Sequence, residues 1–170
     1  MNKQQSEFRK KITDILSHFN KEVLSYNENE FWLIQQPYDY LMFFAERNML
    51  KNTAIALPLS RGLHDGSHRK AFLRRNGVNN YYPYVIHCLN VCRILADLLK
   101  DRPSEELDIL LASSLCHDMI EDLDFPKHGT ELYEDYGLDK KVYQTVKLVS
   151  KRKDFTPEEE KELFDNIAHN

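Results

Sequence analysis

A chain of 170 residues, 42% hydrophobic and 29% charged, is long enough for one domain with its own core and too short for two large catalytic domains. Its net charge of −4 supplies no global field to draw it to a nucleic acid polymer or an anionic membrane, so any polyphosphate ligand has to rely on a local patch. No run approaches the roughly 18 to 20 apolar residues of a spanning helix, and Met1-Asn2-Lys3-Gln4-Gln5-Ser6-Glu7 lacks the apolar segment of a secretion signal.

Helical periodicity governs the chain nearly throughout. With no strand run, internal repeat or low-complexity tract, the expected fold class is all-α. Phe8, Ile12, Ile15, Leu16, Phe19 and Val23 form one apolar stripe over residues 5 to 25. A second helix covers 28 to 49, broken or kinked at Pro37. Its aromatic cluster, Phe31, Trp32, Tyr38, Tyr40, Phe43 and Phe44, reads as packing, whereas exposure would make it a partner surface. Residues 1–50 are expected to form an N-terminal helical extension that covers the remainder, residues 51–170; dimerisation is the alternative use.

A third helix is expected at 52 to 64, followed by a basic stretch, Arg69, Lys70, Arg74 and Arg75. That stretch is either a solvated loop or the local positive charge of a phosphate site. Two longer helices follow at about 81 to 100 and 104 to 120, the latter opened by Pro103, Ser104, Glu105 and Glu106 as a capping signal. After a loop around Pro126 to Gly129, short helices at 130 to 136 and 138 to 149 precede Lys151-Arg152-Lys153-Asp154. Thr156-Pro157-Glu158-Glu159 then starts a last helix with an N-cap and a proline at the first position.

The chemistry concentrates in the two longer helices. His87, Val91, Ile94 and Leu98 recur at i, i+4, i+7 and i+11, which places the His87 imidazole on the face expected to pack inward. A single histidine there is most simply a satisfied core residue. In the second helix, Leu107 to Cys116 is apolar over most of its circumference, and on a continued helix His117 falls near 0°, Glu121 near roughly 40°, Asp118 near 100° and Asp122 near 140°. Charge at the end of a buried helix needs a partner. Two imidazoles and a carboxylate suit Mn, Fe, Zn or Ni better than Ca or Mg, leaving Glu121 and Asp122 to position or activate a water. Cys88, Cys92 and Cys116, odd in number and inside apolar helices, read as reduced thiols of a cytoplasmic protein. A zinc site on Cys88 and Cys92 is disfavoured, since Cys88 lies about 100° from His87 around the helix.

Several segments form an ordered pattern: Leu63-His64-Asp65-Gly66-Ser67-His68-Arg69-Lys70, then Pro83-Tyr84-Val85-Ile86-His87, then Val91-Cys92-Arg93-Ile94-Leu95. Leu115-Cys116-His117-Asp118-Met119-Ile120-Glu121-Asp122 follows, and Tyr136-Gly137 with Val146-Lys147-Leu148-Val149-Ser150-Lys151 completes it. The pattern resembles the HD superfamily of metal-dependent phosphohydrolases, and in its fuller form the hydrolase domain of the RelA/SpoT homologues, which removes pyrophosphate from the 3′ position of (p)ppGpp. The resemblance covers about residue 54 to the C-terminus. It implies an HD-type helical bundle in which His87, His117 and Asp118 ligate a divalent metal, manganese being the expected ion. It also implies that Glu121 and Asp122 position or activate the attacking water and that Arg69 contacts a nucleotide substrate.

Two departures qualify what the resemblance implies. The stretch from Lys70 to Asn80 is longer than the family's short turn, which alters the edge of the pocket that would grip the base. The family's last metal ligand is an Asp on a helix following a segment like Asn166-Ile167-Ala168-His169-Asn170, where this sequence ends. The expectation is an HD-type domain without its last helices and with impaired turnover, unless Asp165, His169, the terminal carboxylate or extra waters take the fourth position. Two function classes follow: a phosphohydrolase acting on (p)ppGpp or a related nucleotide, and a non-catalytic module that binds nucleotide or metal.

Overall fold

Six helices and one short ribbon make up the described part of the chain. The computed structural model describes residue 10, residues 28–70, 81–119 and 130–150, and residues 156, 158 and 161, with backbone alone at 68–70, 81 and 131. Helix α1 is Glu28–Arg47, α2 Lys51–Leu63, α3 Val85–Leu99, α4 Ser104–Cys116, α5 Glu131–Glu134 and α6 Lys140–Val149, while β1 (His68–Lys70) and β2 (Tyr81–Pro83) lie between α2 and α3. The all-α fold class is as the periodicity requires. The expected helices over 5 to 25 and from Thr156 onward lie outside the described residues, apart from isolated positions.

Helices α2 and α4 are the central pair. Every residue of α2 from Asn52 to Ser60 is buried, as expected of a helix surrounded by protein, and α4 buries Leu107, Asp108 and all of Leu111 to Cys116. Around them, α3 packs on α4 and α1, α6 packs on α4, and α1 packs on α2. Helix α1 contributes Ile34, Tyr38, Leu41 and Ala45, spaced 4, 3 and 4 apart, so one stripe of it enters the shared core. The helix is continuous through Pro37, so of the two expected outcomes there the break does not occur. Proline costs the carbonyl four residues earlier its intrahelical partner, and that residue, Leu33, is on the exposed side of the helix. The aromatic cluster divides: Tyr38 is in the core, while Phe31, Trp32, Tyr40 and Phe43 are exposed.

Buried polar groups tie the helix starts together. The residue before α2 is Leu50, which has no capping side chain. In its place, the Asp108 carboxylate of α4 accepts the backbone N–H groups of Asn52 at 2.9 Å and Thr53 at 2.8 Å. It also accepts the Asn52 amide at 2.9 Å and the Thr53 hydroxyl at 2.8 Å. Asn52 Oδ1 in turn accepts the backbone N–H of Asp139 at 2.7 Å, and Asp139 caps α6 by accepting the N–H of Lys141 at 2.8 Å. One network thus fixes α2, α4 and α6, satisfying donors that helix geometry leaves without intrahelical partners. At the start of α4, by contrast, Ser104 is the first helical residue and Pro103 precedes it without a side-chain cap, so the expected capping signal acts only through Glu105 and Glu106 in the first turn.

Two features depart from the expected pattern. The buried face of α3 is Val85, Cys88, Leu89, Cys92 and Ala96, not the stripe containing His87; Ile94 is 56% and Leu98 72% exposed. The helix is apolar around most of its circumference, so periodicity alone leaves its inward direction undetermined. The second departure is the antiparallel ribbon, where none was expected, with His68 opposite Pro83, Arg69 opposite Tyr82 and Lys70 opposite Tyr81. Three-residue strands are too short to produce a period-2 pattern. The ribbon and the Tyr84 N–H donating to the Ser67 carbonyl at 2.8 Å bring the end of α2 alongside the start of α3.

Candidate metal centre

The turn after α4 carries His117 and Asp118. Helix α4 ends at Cys116 rather than continuing to 120, and His117 keeps right-handed helical dihedrals at its cap. On an uninterrupted helix adjacent side chains diverge and do not meet. Just past the end of α4, His117 Nε2 nonetheless lies 2.9 Å from Asp118 Oδ2, while His87 Nε2, from the first turn of α3, lies 3.6 Å from the same oxygen. The two imidazole rings are tilted against each other with centroids 5.4 Å apart. Among the described residues this is a cluster able to hold a metal ion: one donor atom from each of His87, His117 and Asp118, all within 4.8 Å of one another. The side chains are 30%, 24% and 15% exposed respectively, so the cluster is sheltered yet reachable from solvent.

Donor spacing provides a test of fit. Ligands about 2.1 Å from a common ion at roughly tetrahedral or octahedral angles stand about 3.0 to 3.4 Å apart. The separations of 2.9 and 3.6 Å bracket that range. The protonation pattern agrees. His117 Nδ1 lies 2.7 Å from the Ser114 carbonyl, and because a carbonyl only accepts, Nδ1 is the donor. Nε2 then faces the Asp118 carboxylate and must carry either a second proton or a cation. A backbone carbonyl that holds one ring nitrogen and frees the other is the usual support of a metal-bound histidine.

Asp118 is anionic over the whole neutral range. Burial pushes its carboxyl upward, but hydrogen bonds from His117 and Tyr84 and the charge of both imidazoles outweigh that and lower it from 3.8 to about 2. The Tyr84 hydroxyl donates to Oδ2 at 2.7 Å. Its ring stacks on buried His64 with centroids 4.9 Å apart and planes 19° from parallel, and meets His87 edge-on at 5.9 Å. His64 Nε2 lies 3.7 Å from the Cys88 thiol on the buried side of α3. From the other direction, the Ser150 hydroxyl at the end of α6 lies 2.8 Å from the Val146 carbonyl and 3.1 Å from the His117 carbonyl, and shares its single proton between them.

Of the expected site residues, His87, His117 and Asp118 converge. Glu121 and Asp122 lie outside the described residues, as do residues 71–80 and the candidate fourth-position groups Asp165 and His169. The backbone of Arg69 sits in β1 opposite Tyr82; its side chain lies outside the described residues. Tyr84, Ser114 and His64 were not singled out as site residues from sequence. Only the spacing of Tyr84, three positions before His87 at a helix start, carries a signal, because i and i+3 share a face.

Cys88, Cys92 and Cys116 form no disulfide with one another and are buried, with burial raising the Cys92 thiol to about 12 and the Cys116 thiol higher still. No pair of them is positioned as zinc ligands in the described cluster. A cavity of 330 Å³ lined by Pro103, Glu105, Glu106, Ile109, Leu110 and Lys141 sits at the N-terminal end of α4. Its lining on α4 stops at Leu110, about two turns before His117, and includes none of the three clustered residues, so it is not part of this centre. No helix among the described residues is long and apolar enough to cross a membrane. Compared with protein-family models, curated proteins and solved structures, the chain finds no match.

Proposed function

We propose that this protein is a metal-dependent phosphohydrolase of the HD type, acting in the cytoplasm on a nucleotide such as (p)ppGpp, with manganese as the expected ion. The observation that supports this most directly is the convergence of His87, His117 and Asp118 within 4.8 Å, with Ser114 holding His117 in the ligand tautomer. Two imidazoles and one carboxylate form a borderline donor set that suits Mn, Fe, Zn or Ni. A divalent cation held there supplies charge neutralisation for a phosphoryl group and a water acidified toward neutral pH.

The chain's own residues contribute binding and orientation. Asp118, its carboxyl held against burial at about 2 by His117, Tyr84 and His87, is ionised at neutral pH and gives the centre its negative charge. Ser150 and Ser114 fix the turn and the ring of His117. Glu121 and Asp122 are assigned the handling of the attacking water, and Arg69 a contact to the nucleotide substrate.

Purified protein is expected to retain a divalent metal on elemental analysis, to release pyrophosphate from (p)ppGpp with Mn²⁺, and to lose both properties in His117→Ala. Protein that retains metal or binds nucleotide without any turnover would instead establish the non-catalytic module. Protein with no metal and no nucleotide binding refutes both.

A further inference from the structure

We propose that Tyr84 is a positioning residue of this centre: its phenol holds the Asp118 carboxylate so that Oδ2 faces both imidazole nitrogens, and thereby sets the affinity for the cation. The inference rests on the metal-binding reading above but concerns a residue to which that reading gave no role.

A carboxylate oxygen has two in-plane lone pairs. The Tyr84 hydroxyl occupies one of those on Oδ2 at 2.7 Å, and the same oxygen lies 2.9 Å from His117 Nε2 and 3.6 Å from His87 Nε2. Without the phenol, the carboxylate keeps only its contacts to the imidazoles, and among the described residues nothing on the far side of Oδ2 opposes rotation of the short Asp118 side chain. With it, one oxygen is held toward the nitrogens before any ion arrives.

The phenol itself is held on two sides. The Tyr84 ring lies nearly parallel to buried His64, 4.9 Å centre to centre, and its edge relation to His87 at 5.9 Å fixes the rotation about the remaining axis. The backbone is anchored by the N–H of Tyr84 donating to Ser67 and by its carbonyl accepting from His87 at 2.9 Å. Tyr84 is therefore attached to both walls of the centre, the end of α2 through His64 and the start of α3 through His87. Partners that orient metal-bound carboxylates and imidazoles typically contribute about 10- to 100-fold in metal affinity.

The test uses Co²⁺ alone as the probe, titrated into the full chain while its visible d–d absorption is recorded. Tyr84→Phe keeps the ring and its stack on His64 and removes only the hydroxyl. The expected result is about a 10- to 100-fold weaker Co²⁺ affinity together with an altered visible spectrum, while far-ultraviolet circular dichroism is unchanged. Wild-type affinity with an unchanged spectrum in Tyr84→Phe overturns the proposal.

A second measurement needs no variant to fold. In the wild-type protein, Co²⁺ addition is expected to perturb tyrosine near-ultraviolet absorbance, because the ion changes the hydrogen bond that Tyr84 donates; its absence overturns the proposal equally. Failure of the underlying reading has a different signature. Wild-type protein that does not bind Co²⁺, or His117→Ala that binds it as well as wild type does, removes the metal centre and this role with it.

Discussion

Asp108 and Thr53 lie on different central helices, yet the carboxylate of one accepts both the backbone N–H and the hydroxyl of the other, each at 2.8 Å. The first turn of α2 is thus capped from α4, and the stability of one helix depends on the placement of the other.

Replacing Asp108 with alanine leaves the N–H groups of Asn52 and Thr53 buried and without this acceptor. The expected loss is about 3 kcal/mol, given roughly 1 to 3 kcal/mol for each unsatisfied buried donor. Asp108→Asn retains one acceptor oxygen and should cost about half as much. Urea denaturation of the two variants beside wild type measures both; equal costs would mean that the network is not fixed by the carboxylate.

Acid stability should depend on Asp118. Its folded-state value of about 2 lies below the ordinary 3.8, so its stabilising contribution is complete above about 4 and is lost as pH falls toward 2. A tenfold difference in proton affinity between folded and unfolded chain is worth about 1.4 kcal/mol, and solvent reaching the carboxylate screens part of that. The stability gap between wild type and Asp118→Asn is therefore expected to change by about 1 to 2 kcal/mol across the interval. Denaturation curves at pH 5 and pH 2.5 supply the comparison, and a gap that does not move with pH contradicts the assignment.

Metal should stabilise the fold. At 100 times its dissociation constant, Mn²⁺ is expected to add about 2.7 kcal/mol, or roughly 5–10 °C in melting temperature for a domain of this size. Chelation reverses the gain, and His87→Ala or His117→Ala should abolish it. Thermal melts with and without the ion report the outcome directly.

The outward face of α3 should tolerate charge. Ile94→Lys and Leu98→Lys, at positions 56% and 72% exposed, are expected to change stability by no more than about 0.5 kcal/mol. Leu89→Ala, which empties a fully buried position, should cost about 2–5 kcal/mol. If the two lysine variants unfold the protein, the inward direction of the helix is the one that periodicity suggested.

The helices were legible where one face differs sharply from the other. In α6, Asp139 precedes the first turn and Val142 and Val146 lie one turn apart, so both start and buried side can be read from the residues. Helix α3 lacks that contrast. Its direction is decided by what packs against it, and α4 selects Cys88, Leu89 and Cys92 over Ile94 and Leu98. The trio His87, His117 and Asp118 was legible because ionisable groups in apolar surroundings need partners. The roles of Tyr84 and Ser114 were not, since the phenol meets Asp118 only once the start of α3 lies against the end of α4, and a backbone carbonyl leaves no residue-type signal. The Asp108 cap spans more than 50 positions of sequence, and no local pattern connects its two ends.

The sulfur atoms of Cys88, Cys92 and Cys116 lie at the seam where α3 meets α4, with no water-facing surface on any of the three residues. An alkylating reagent attacks only a thiolate it can touch. In untreated protein, therefore, carbamidomethylation proceeds only during excursions that lift α3 off the helices it packs on, and its rate is an intrinsic clock for how often that seam opens.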